Sequence, residues 1–361
     1  MLELLISTLA LLAVPVAILC VIDDWFVRPK RQLVLKDGQP SPDPLVMRLL
    51  YGALPILVIA WFFQLMSAQR ADFSLVLILI TVASGVVWAI DHWVLAPRRH
   101  AAARAAGRAL ESLELPGTVD YARSFFPVMA VLLVLRSFFY EPYRIPSDSM
   151  MPTLLDGDFI LVNKYAYGVR LPVVNKKVIG VGAPERGDVA VFRHPLDPAV
   201  NYIKRVVGLP GDLVEVRNDQ LIINGTPVPL VQKGRYEDGC YQNMRIAEEN
   251  LSGRPHAVLH CLSSDMLAVP PLPSCNRSIP QGYICNEATA GINPDLGDRV
   301  MRVPEGQYLM VGDNRDNSSD GRVWGFVDES LLVGRASAIW FNWDLQRSGG
   351  PNWSRIFTRI E

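Results

Sequence analysis

A polar stretch with two serines is the part of this sequence that could carry chemistry. Residues Arg144 to Leu154 read RIPSDSMMPTL and directly follow an apolar segment of membrane length. Pro146 and Pro152 flank the hydroxyl groups, and prolines disfavour both a long helix and a central strand across them. The sequence therefore predicts that Ser149 is presented on a short, stiff turn at a membrane surface. An ordinary loop between an anchor and a soluble domain is the alternative that this stretch alone leaves open.

A nucleophilic serine needs a base to activate it and donors for developing negative charge. Histidine is the usual base, and five histidines occur in the chain. Two of them, His92 and His100, belong to the predicted membrane and cytoplasmic part. The other three, His194, His256 and His260, are predicted to be surface or structural residues. A histidine base is therefore disfavoured.

Lysine is the other possible base. Lys204 lies in NYIKRVVG, in the middle of an apolar strand pattern. An ammonium group that points inward from such a strand loses hydration, and its pKa falls toward neutrality. A neutral Lys204 amine could then take a proton from Ser149. A solvent-facing lysine on a strand is the alternative.

Composition limits the classes of protein and partner. The chain has 361 residues, is 50% hydrophobic and carries a formal net charge of -1. The high apolar fraction predicts that part of the chain lies in a lipid bilayer. The Lys and Arg residues are scattered and form no basic patch, which disfavours nucleic acid as a partner. No metal-binding spacing is recognisable, so we expect neither metal nor cofactor. Four clustered cysteines fit an oxidising compartment, as up to two disulfides of undetermined pairing or as reduced thiols: Cys240, Cys261, Cys275 and Cys285.

Four apolar segments predict a membrane anchor over residues 1–140. They cover residues 2–22, 49–66, 73–95 and 125–140, the last interrupted by Arg136. The first is preferred as a retained helix over a cleaved signal peptide, and the 49–95 pair could instead be re-entrant. Basic residues in the loops 23–48 and 96–124 make those loops cytoplasmic. The N-terminus, the 67–72 turn and everything after Tyr140 are then external.

Residues 141–361 are predicted to form an external, mostly β, antiparallel catalytic domain. Short runs of β-forming residues alternate with Gly, Pro, Asn and Asp, and Asn224-Gly225 predicts a hairpin turn. An insertion is predicted at about residues 213–304, irregular between about 230 and 300. The predicted strands are 159–162, 188–192, 202–207, 213–216, 221–223, 307–311 and 336–341.

The chain resembles the bacterial type I signal peptidases, membrane-anchored serine proteases with a Ser-Lys dyad. The resemblance spans roughly residues 120–345, without most of the insertion. Two departures stand out: Asp148 replaces a frequent glycine, and the 49–95 hairpin exceeds the two-helix anchor of well known members. The matching segments occur in the family's order: IPSDSMMPTLL (145–155), GDFILV (157–162), RGDVAVF (186–192), YIKRVVGLPGD (202–212) and GDNRDNSSDGRVWGFV (312–327).

The resemblance implies a role for individual residues. Ser149 would be the nucleophile and Lys204 the general base. The Ser149 N–H and the Ser147 hydroxyl would form the oxyanion hole, and Ser318 would orient the Lys204 amine. Four charged residues would support the site, the first two as an ion pair near the dyad and the others as braces of the fold: Asp320, Arg322, Asp313 and Arg205.

The implied substrates are exported preproteins, cleaved after small residues of A-x-A type. Such specificity needs shallow apolar pockets that exclude large side chains. The resemblance places nine residues around those pockets, and for each the alternative is ordinary core: Tyr143, Ile145, Pro146, Met150, Leu154, Ile160, Val191, Tyr202 and Ile203.

The implied location is the inner membrane, with the catalytic domain on the periplasmic side. Membrane lipid and the export translocase would be neighbours. We also expect four aromatic residues near the C-terminus to dip into the membrane interface, with β-domain core as the alternative: Trp340, Phe341, Trp343 and Trp353. A catalytically silent binding or assembly protein on the same scaffold is the rival hypothesis, but it would be expected to have lost Ser149 or Lys204.

Overall fold

The computed structural model divides the chain into two compact units, Met1–Leu135 and Arg136–Glu361. The residues it describes are 12–13, 15–27, 44–67, 73–105, 115–172, 175–217, 220–238, 241–261, 299–343 and 350–360.

The first unit is helical wherever it is described at length. Residues 15–22 are helical and run into a π-helical turn, Asp23–Val27. A second π-helical turn, Asp91–Leu95, joins two of the α-helices. The α-helices are α1 (Leu45–Ser67), α2 (Phe73–Ile90), α3 (Ala96–Ala105) and α4 (Gly117–Val134).

Two helical stretches among the described residues are long and apolar enough to cross a membrane. They are Leu75–Ala105 and Gly117–Phe139, with mean hydropathies of 2.0 and 1.6. They correspond to the third and fourth predicted segments. The predicted second segment, 49–66, lies within α1. Most of the first segment and the 68–72 part of the predicted turn lie outside the described residues, so the count of four spans stays a prediction.

The fourth segment begins earlier than its apolar run indicates. Helix α4 starts at Gly117, so residues 117–124, predicted as part of a cytoplasmic loop, are helical. The cause is an unforeseen cap: the buried carboxylate of Asp24 accepts hydrogen bonds from the N–H groups of Gly117 and Thr118, at 3.0 and 2.7 Å. A carboxylate at a helix N-terminus satisfies free N–H groups and favours the helix there.

The second unit is built from antiparallel strands, which confirms the predicted fold class. It also contains a four-residue helix, α5 (Gly321–Trp324). The strands are β1 (Tyr140–Arg144), β2 (Asp158–Asn163), β3 (Val169–Arg170), β4 (Lys177–Ile179), β5 (Val189–Arg193), β6 (Asn201–Gly208), β7 (Leu213–Arg217), β8 (Gln220–Ile223), β9 (Thr226–Pro227), β10 (Leu230–Asp238), β11 (Tyr241–Leu251), β12 (Arg254–Cys261), β13 (Arg299–Arg302), β14 (Gln307–Val311), β15 (Val327–Asp328), β16 (Leu332–Asn342) and β17 (Thr358–Arg359).

The main sheet has eight strands in the order β1-β2-β16-β5-β6-β14-β15, with β17 paired to β16. A four-stranded sheet, β13-β7-β8-β9, and the β3–β4 hairpin accompany it. All seven predicted strands are present. The Asn224-Gly225 turn joins β8 to β9 with φ values of 52° and 78°, as a two-residue hairpin with positive φ at both positions requires.

The described part of the predicted insertion is regular, which corrects the expectation of an irregular segment from residue 230. Strands β10, β11 and β12 form a three-stranded antiparallel sheet, β10-β11-β12. Alternating side chains explain it: Ala247 and Leu251 of β11 are buried, while Glu248 and Asn250 between them are exposed. Residues 262–298 lie outside the described residues. So do Cys240, Cys275 and Cys285, together with the side chain of Cys261, and their pairing stays open.

Candidate active site

The turn predicted around Ser149 is present. The Met151 N–H donates to the carbonyl of Asp148 at 3.1 Å, and the Leu154 N–H donates to the carbonyl of Met150 at 2.9 Å. These bonds make the segment compact just after β1. The Ser149 side chain is half-buried and its neighbours Asp148 and Met150 are buried. The hydroxyl group is therefore held on a fixed turn.

Lys204 reaches the Ser149 hydroxyl from the middle of β6. Its Nζ lies 2.7 Å from Ser149 Oγ and 2.9 Å from the carbonyl oxygen of Ile203. β6 is an interior strand, paired with β5 and β14, and Lys204 is only 3% exposed. The side chain therefore points inward, as the sequence hypothesis requires, and not to solvent.

Burial lowers the pKa of Lys204 from its ordinary value of 10.5 to about 8. Desolvation is the main cause, because a buried ammonium has lost its water. The carboxylates of Asp320 and Asp313 oppose the shift, and Arg322 adds to it. The arrangement gives a lysine within hydrogen-bond distance of a serine hydroxyl, and about one tenth of the molecules carry it as a neutral amine at pH 7.

The residues predicted to bind an oxyanion lie beside Ser149. Ser147 Oγ is 3.4 Å from Ser149 Oγ, and Ser147 is exposed. Within the described part of the chain, the turn uses the N–H groups of Met151 and Leu154 but makes no backbone hydrogen bond with the N–H of Ser149. The Ser147 hydroxyl and the Ser149 N–H are thus two potential donors close to the Ser149 hydroxyl.

Ser318 lies close to the dyad but does not hydrogen-bond to Lys204. Both bonds of the Lys204 amine among the described residues go to Ser149 Oγ and the Ile203 carbonyl. The Ser318 hydroxyl packs against Gly312, where a Cβ would lie 2.2 Å from Ser318 Oγ and 2.5 Å from the Ser149 carbonyl oxygen. Only glycine fits between the two serines, so Gly312 allows this close approach. The predicted contact between Ser318 and the amine is absent from this arrangement.

Asp320 and Arg322 form the expected ion pair near the dyad. The Arg322 guanidinium donates two hydrogen bonds to the Asp320 carboxylate, both at 2.8 Å, and Asp320 also accepts from the backbone N–H groups of Arg322 at 3.2 Å and of Gly312 at 2.9 Å. Burial alone would raise the pKa of Asp320, but the Arg322 guanidinium and these hydrogen bonds hold it below its ordinary value. Asp320 is therefore a fixed negative charge beside Lys204.

Asp313 and Arg205 form a buried ion pair in the same region. Arg205 donates from Nε and Nη2 to the Asp313 carboxylate, both at 2.8 Å, and from Nη1 to the carbonyl of Gly187 at 2.7 Å. Both side chains are fully buried. Burial would raise the pKa of Asp313, but Arg205 lowers it below its ordinary value. This bidentate pair ties β6 to the loop that follows β14.

Seven of the nine predicted pocket residues belong to one apolar cluster. Three of them, Met150, Leu154 and Ile160, have no exposed surface, so they form core beneath the site. Two residues lie outside this cluster: Pro146 is exposed, and Tyr202 packs with a second cluster, its ring centroid 5.4 Å from Lys204 Nζ. The seven in the first cluster are Tyr143, Ile145, Met150, Leu154, Ile160, Val191 and Ile203.

The histidines of the second unit are engaged away from the serine. His194 packs against the rings of Tyr202 and Trp324, with centroid distances of 4.5 and 5.4 Å. His256 and His260 are buried in β12. Burial, helped by the nearby charge of Arg315, lowers the pKa of His260 to about 3. No described hydrogen bond joins any of the three to Ser149.

Sequence reasoning missed three residues next to the site. Asn314 donates from its backbone N–H to the Ser149 carbonyl and from Nδ2 to the Asp148 carbonyl. Its neighbour Arg315 forms a buried ion pair with Glu249 of β11. Asn314 and Arg315 lie inside the GDNRDNS segment, so that segment was the available signal. Glu249 gives no sequence signal, because it is an acidic residue in an unremarkable strand.

The chain is similar to known signal peptidases. The family model "Signal peptidase, peptidase S26" matches residues 118–343. A solved signal peptidase I from Enterococcus faecalis V583 is 25% identical, covering 43% of this chain and 98% of its own, with a TM-score of 0.23. Signal peptidase I of Pseudomonas fluorescens is 42% identical over 79% of this chain and 98% of the relative, and that of Pseudomonas aeruginosa is 40% identical over the same shares. On the family model and these two relatives, the chain belongs to the bacterial type I signal peptidases, a family of peptidases.

Proposed function

We propose that this protein removes N-terminal signal peptides from exported preproteins by Ser-Lys dyad catalysis. The observation that carries the proposal is the 2.7 Å contact between Lys204 Nζ and Ser149 Oγ, made by a lysine whose pKa is lowered to about 8 by burial. A lysine acts as a base only when it is neutral, and its pKa is most useful near the working pH.

The first half of the reaction forms an acyl-enzyme. Ser149 Oγ attacks the scissile carbonyl carbon while its proton passes to the neutral amine of Lys204. The Ser149 N–H and the Ser147 hydroxyl donate to the oxygen that becomes negative. When the tetrahedral intermediate collapses, the C–N bond breaks and the Lys204 ammonium returns the proton to the leaving amine. The signal peptide is then held as an ester on Ser149.

The second half regenerates the enzyme. Lys204, neutral again, takes a proton from a water molecule whose oxygen attacks the ester carbonyl. The second tetrahedral intermediate uses the same two donors. Its collapse breaks the bond to Ser149 Oγ, Lys204 gives the proton back to that oxygen, and the signal peptide leaves with a carboxylate. Asp320 and Arg322, both buried beside the dyad, keep the charge around Lys204 constant during these transfers.

The surroundings of Ser149 support a preference for cleavage after A-x-A. Two apolar residues close to Ser149 in the sequence, Ile145 and Met150, are buried and packed with their cluster. A shallow surface over such a floor accepts alanine and excludes larger side chains. Because Met150, Leu154 and Ile160 have no exposed surface, Tyr143, Pro146 and Tyr202 carry most of the accessible contact. An extended substrate would pair with the edge of a strand.

We further propose an anchor of four spans, a periplasmic catalytic unit and contact with membrane lipid near the export translocase. The apolar helices of the first unit support an anchor. An exposed aromatic surface supports lipid contact: Trp340 packs against Phe159 and Phe341, Phe341 packs against Trp343, and all three tryptophans are substantially exposed, Trp353 by 73%. Tryptophan is enriched at membrane interfaces.

The rival hypothesis is a binding or assembly protein that kept the scaffold without catalysis. Burying an amine costs free energy. A protein without catalysis would have no function for the lowered pKa that this burial produces. The retained contact between Ser149 and Lys204 therefore favours the enzyme.

The test is cleavage of a preprotein by the purified full chain in detergent. Wild-type enzyme should release the mature protein, with the new N-terminus directly after an A-x-A sequence. Ser149→Ala and Lys204→Ala should each abolish release, and the double variant should be no worse than either one, because the two residues act as a unit. His194→Ala should cleave normally. Full activity in folded Ser149→Ala would refute the proposal, as would cleavage at unrelated sequences.

A further inference from the structure

The turn that presents Ser149 is fixed by a neighbouring loop. Asn314, in the loop after β14, donates from its backbone N–H to the Ser149 carbonyl at 3.2 Å and from Nδ2 to the Asp148 carbonyl at 3.1 Å. Asn314 is fully buried. Two consecutive carbonyl groups of the nucleophile turn are thus held by one residue, and the position of Ser149 depends on the position of Asn314.

That loop is in turn held by the sheet β10-β11-β12. The Leu259 N–H of β12 donates to the Asp313 carbonyl, and the Arg315 N–H donates to the Leu259 carbonyl, both at 2.9 Å. Leu259 and Asn314 therefore form a parallel bridge. The residues on either side of Asn314 are therefore hydrogen-bonded to β12, and β12 belongs to none of the sequence motifs of the site.

A buried ion pair joins the loop to β11. Glu249 accepts from Arg315 Nη1 at 2.8 Å and from Nη2 at 2.5 Å, and both side chains are nearly inaccessible, at 1% and 3%. Arg315 Nε also donates to the Gly312 carbonyl at 3.2 Å, and His256 Nε2 lies 3.3 Å from Glu249 Oε2. Burial would raise the pKa of Glu249, but Arg315 and His256 hold it far below its ordinary value. Glu249 is therefore a permanent negative charge that fixes both arms of Arg315.

We propose that Glu249 is a positioning residue of the active site. Through Arg315 it fixes the loop that carries Asn314, and Asn314 keeps Ser149 Oγ within hydrogen-bond distance of Lys204. The sheet β10-β11-β12 then serves as a brace for the nucleophile. Glu249 touches none of the reacting atoms, and the proposal rests on the proposed function of Ser149 and Lys204.

The first test is Glu249→Gln in the full chain in detergent, assayed on a preprotein or a peptide with an A-x-A site. Glutamine keeps the size but removes the charge that orients Arg315. A displacement of about 1 Å at the reacting atoms can reduce the rate about a hundredfold. We expect kcat to fall at least about tenfold while KM stays within about twofold and the pH midpoint of kcat/KM does not move. Glu249→Asp, which keeps the charge, should recover part of kcat.

The matched control is Glu248→Gln. Glu248 is the preceding residue of the same strand, but it points to solvent and pairs with Lys233 at 3.2 Å across exposed surface. A solvent-exposed ion pair contributes little to the stability of the fold. Glu248→Gln should keep wild-type kcat and KM, so that any loss in Glu249→Gln reports the buried pair and not the strand.

Asn314→Ala tests the path of the effect. It removes the bond to the Asp148 carbonyl and leaves the Glu249–Arg315 pair intact. If Glu249 acts through Asn314, the kcat of the double variant Glu249→Gln/Asn314→Ala should be no lower than the kcat of the less active single variant.

Losses of kcat that multiply in the double variant would show independent effects and would overturn the proposal, and so would wild-type kcat in folded Glu249→Gln. Should Glu249→Gln fail to fold, wild-type kcat in folded Asn314→Ala overturns it instead. Full activity of Ser149→Ala would defeat the proposed function itself, whatever Glu249 does.

Discussion

The lowered pKa of Lys204 predicts how both activity and stability depend on pH. With a pKa of about 8, about one tenth of the molecules carry a neutral amine at pH 7 and about half at pH 8. The value of kcat/KM should therefore rise about tenfold from pH 7 to a plateau above pH 9, since this ratio reports the free enzyme. If the base were a lysine with an ordinary pKa, kcat/KM would reach no plateau below pH 10. If the base were a histidine, kcat/KM would already be constant above pH 7.5.

The same shift predicts an effect on the free energy of unfolding. A fall in pKa from 10.5 to about 8 means that the buried ammonium costs the folded state about 3 kcal/mol wherever both states are protonated, below pH 8. Between pH 8 and 10.5 the folded state loses its proton first, so the unfolded state binds more protons and stability rises with pH. Above pH 10.5 Lys204 is neutral in both states, so the buried ammonium no longer lowers the free energy of unfolding.

Lys204→Met removes the charge, and with it two hydrogen bonds worth about 1 kcal/mol each. The inactive variant should therefore be more stable than the wild type by about 1 kcal/mol at pH 7 and less stable by about 2 kcal/mol near pH 10.5. Unfolding of both proteins in the same detergent across this range measures the difference, with Lys176→Met, which removes an exposed ammonium, as the control. A difference between wild type and Lys204→Met that does not change with pH would refute the reasoning.

Three further predictions concern the supporting residues and the anchor. Arg205→Ala leaves the buried carboxylate of Asp313 unpaired and should lower the free energy of unfolding by about 3–5 kcal/mol, measured by denaturant titration; a loss below about 1 kcal/mol would contradict the assigned role. Gly312→Ala places a Cβ 2.2 Å from Ser318 Oγ, so peptide cleavage should fall at least about tenfold, and normal cleavage would show that the packing around Ser149 is loose. A reporter fused after residue 45 should be cytoplasmic and one fused after Glu361 external; finding the second inside would overturn the orientation.

The sequence was most informative where local chemistry was strong. The prolines around Ser149 predicted a turn, and the turn is present. The apolar neighbours of Lys204 left an inward-pointing and a solvent-facing lysine open, and the structure shows the inward-pointing one. The contact between the two residues joins positions 55 apart, and such a contact depends on the register of β5, β6 and β14. Residue chemistry alone could offer Lys204 as a possible base for Ser149, and the family resemblance supported that pairing before the structure was known.

The remaining features depend on packing that residue types do not reveal. Apolar residues at Met150 and Leu154 fit a pocket and a core equally well, and their complete burial assigns them to the core. The sheet β10-β11-β12 was missed because its surroundings are rich in Gly, Pro and Asn. The pairing of Glu249 with Arg315 requires the register of β11 on β12 and the course of the loop after β14, and no local pattern specifies either one.

Trapping the acyl-enzyme is the most direct test of the Ser-Lys mechanism. The full chain would be mixed with an ester of a peptide that ends in A-x-A, quenched in acid, digested and examined by mass spectrometry. The peptide that contains Ser149 should gain the mass of the acyl group in the wild type, gain none in Ser149→Ala, and gain it far more slowly in Lys204→Ala. Acylation of a different residue, or equal rates in the wild type and Lys204→Ala, would contradict it.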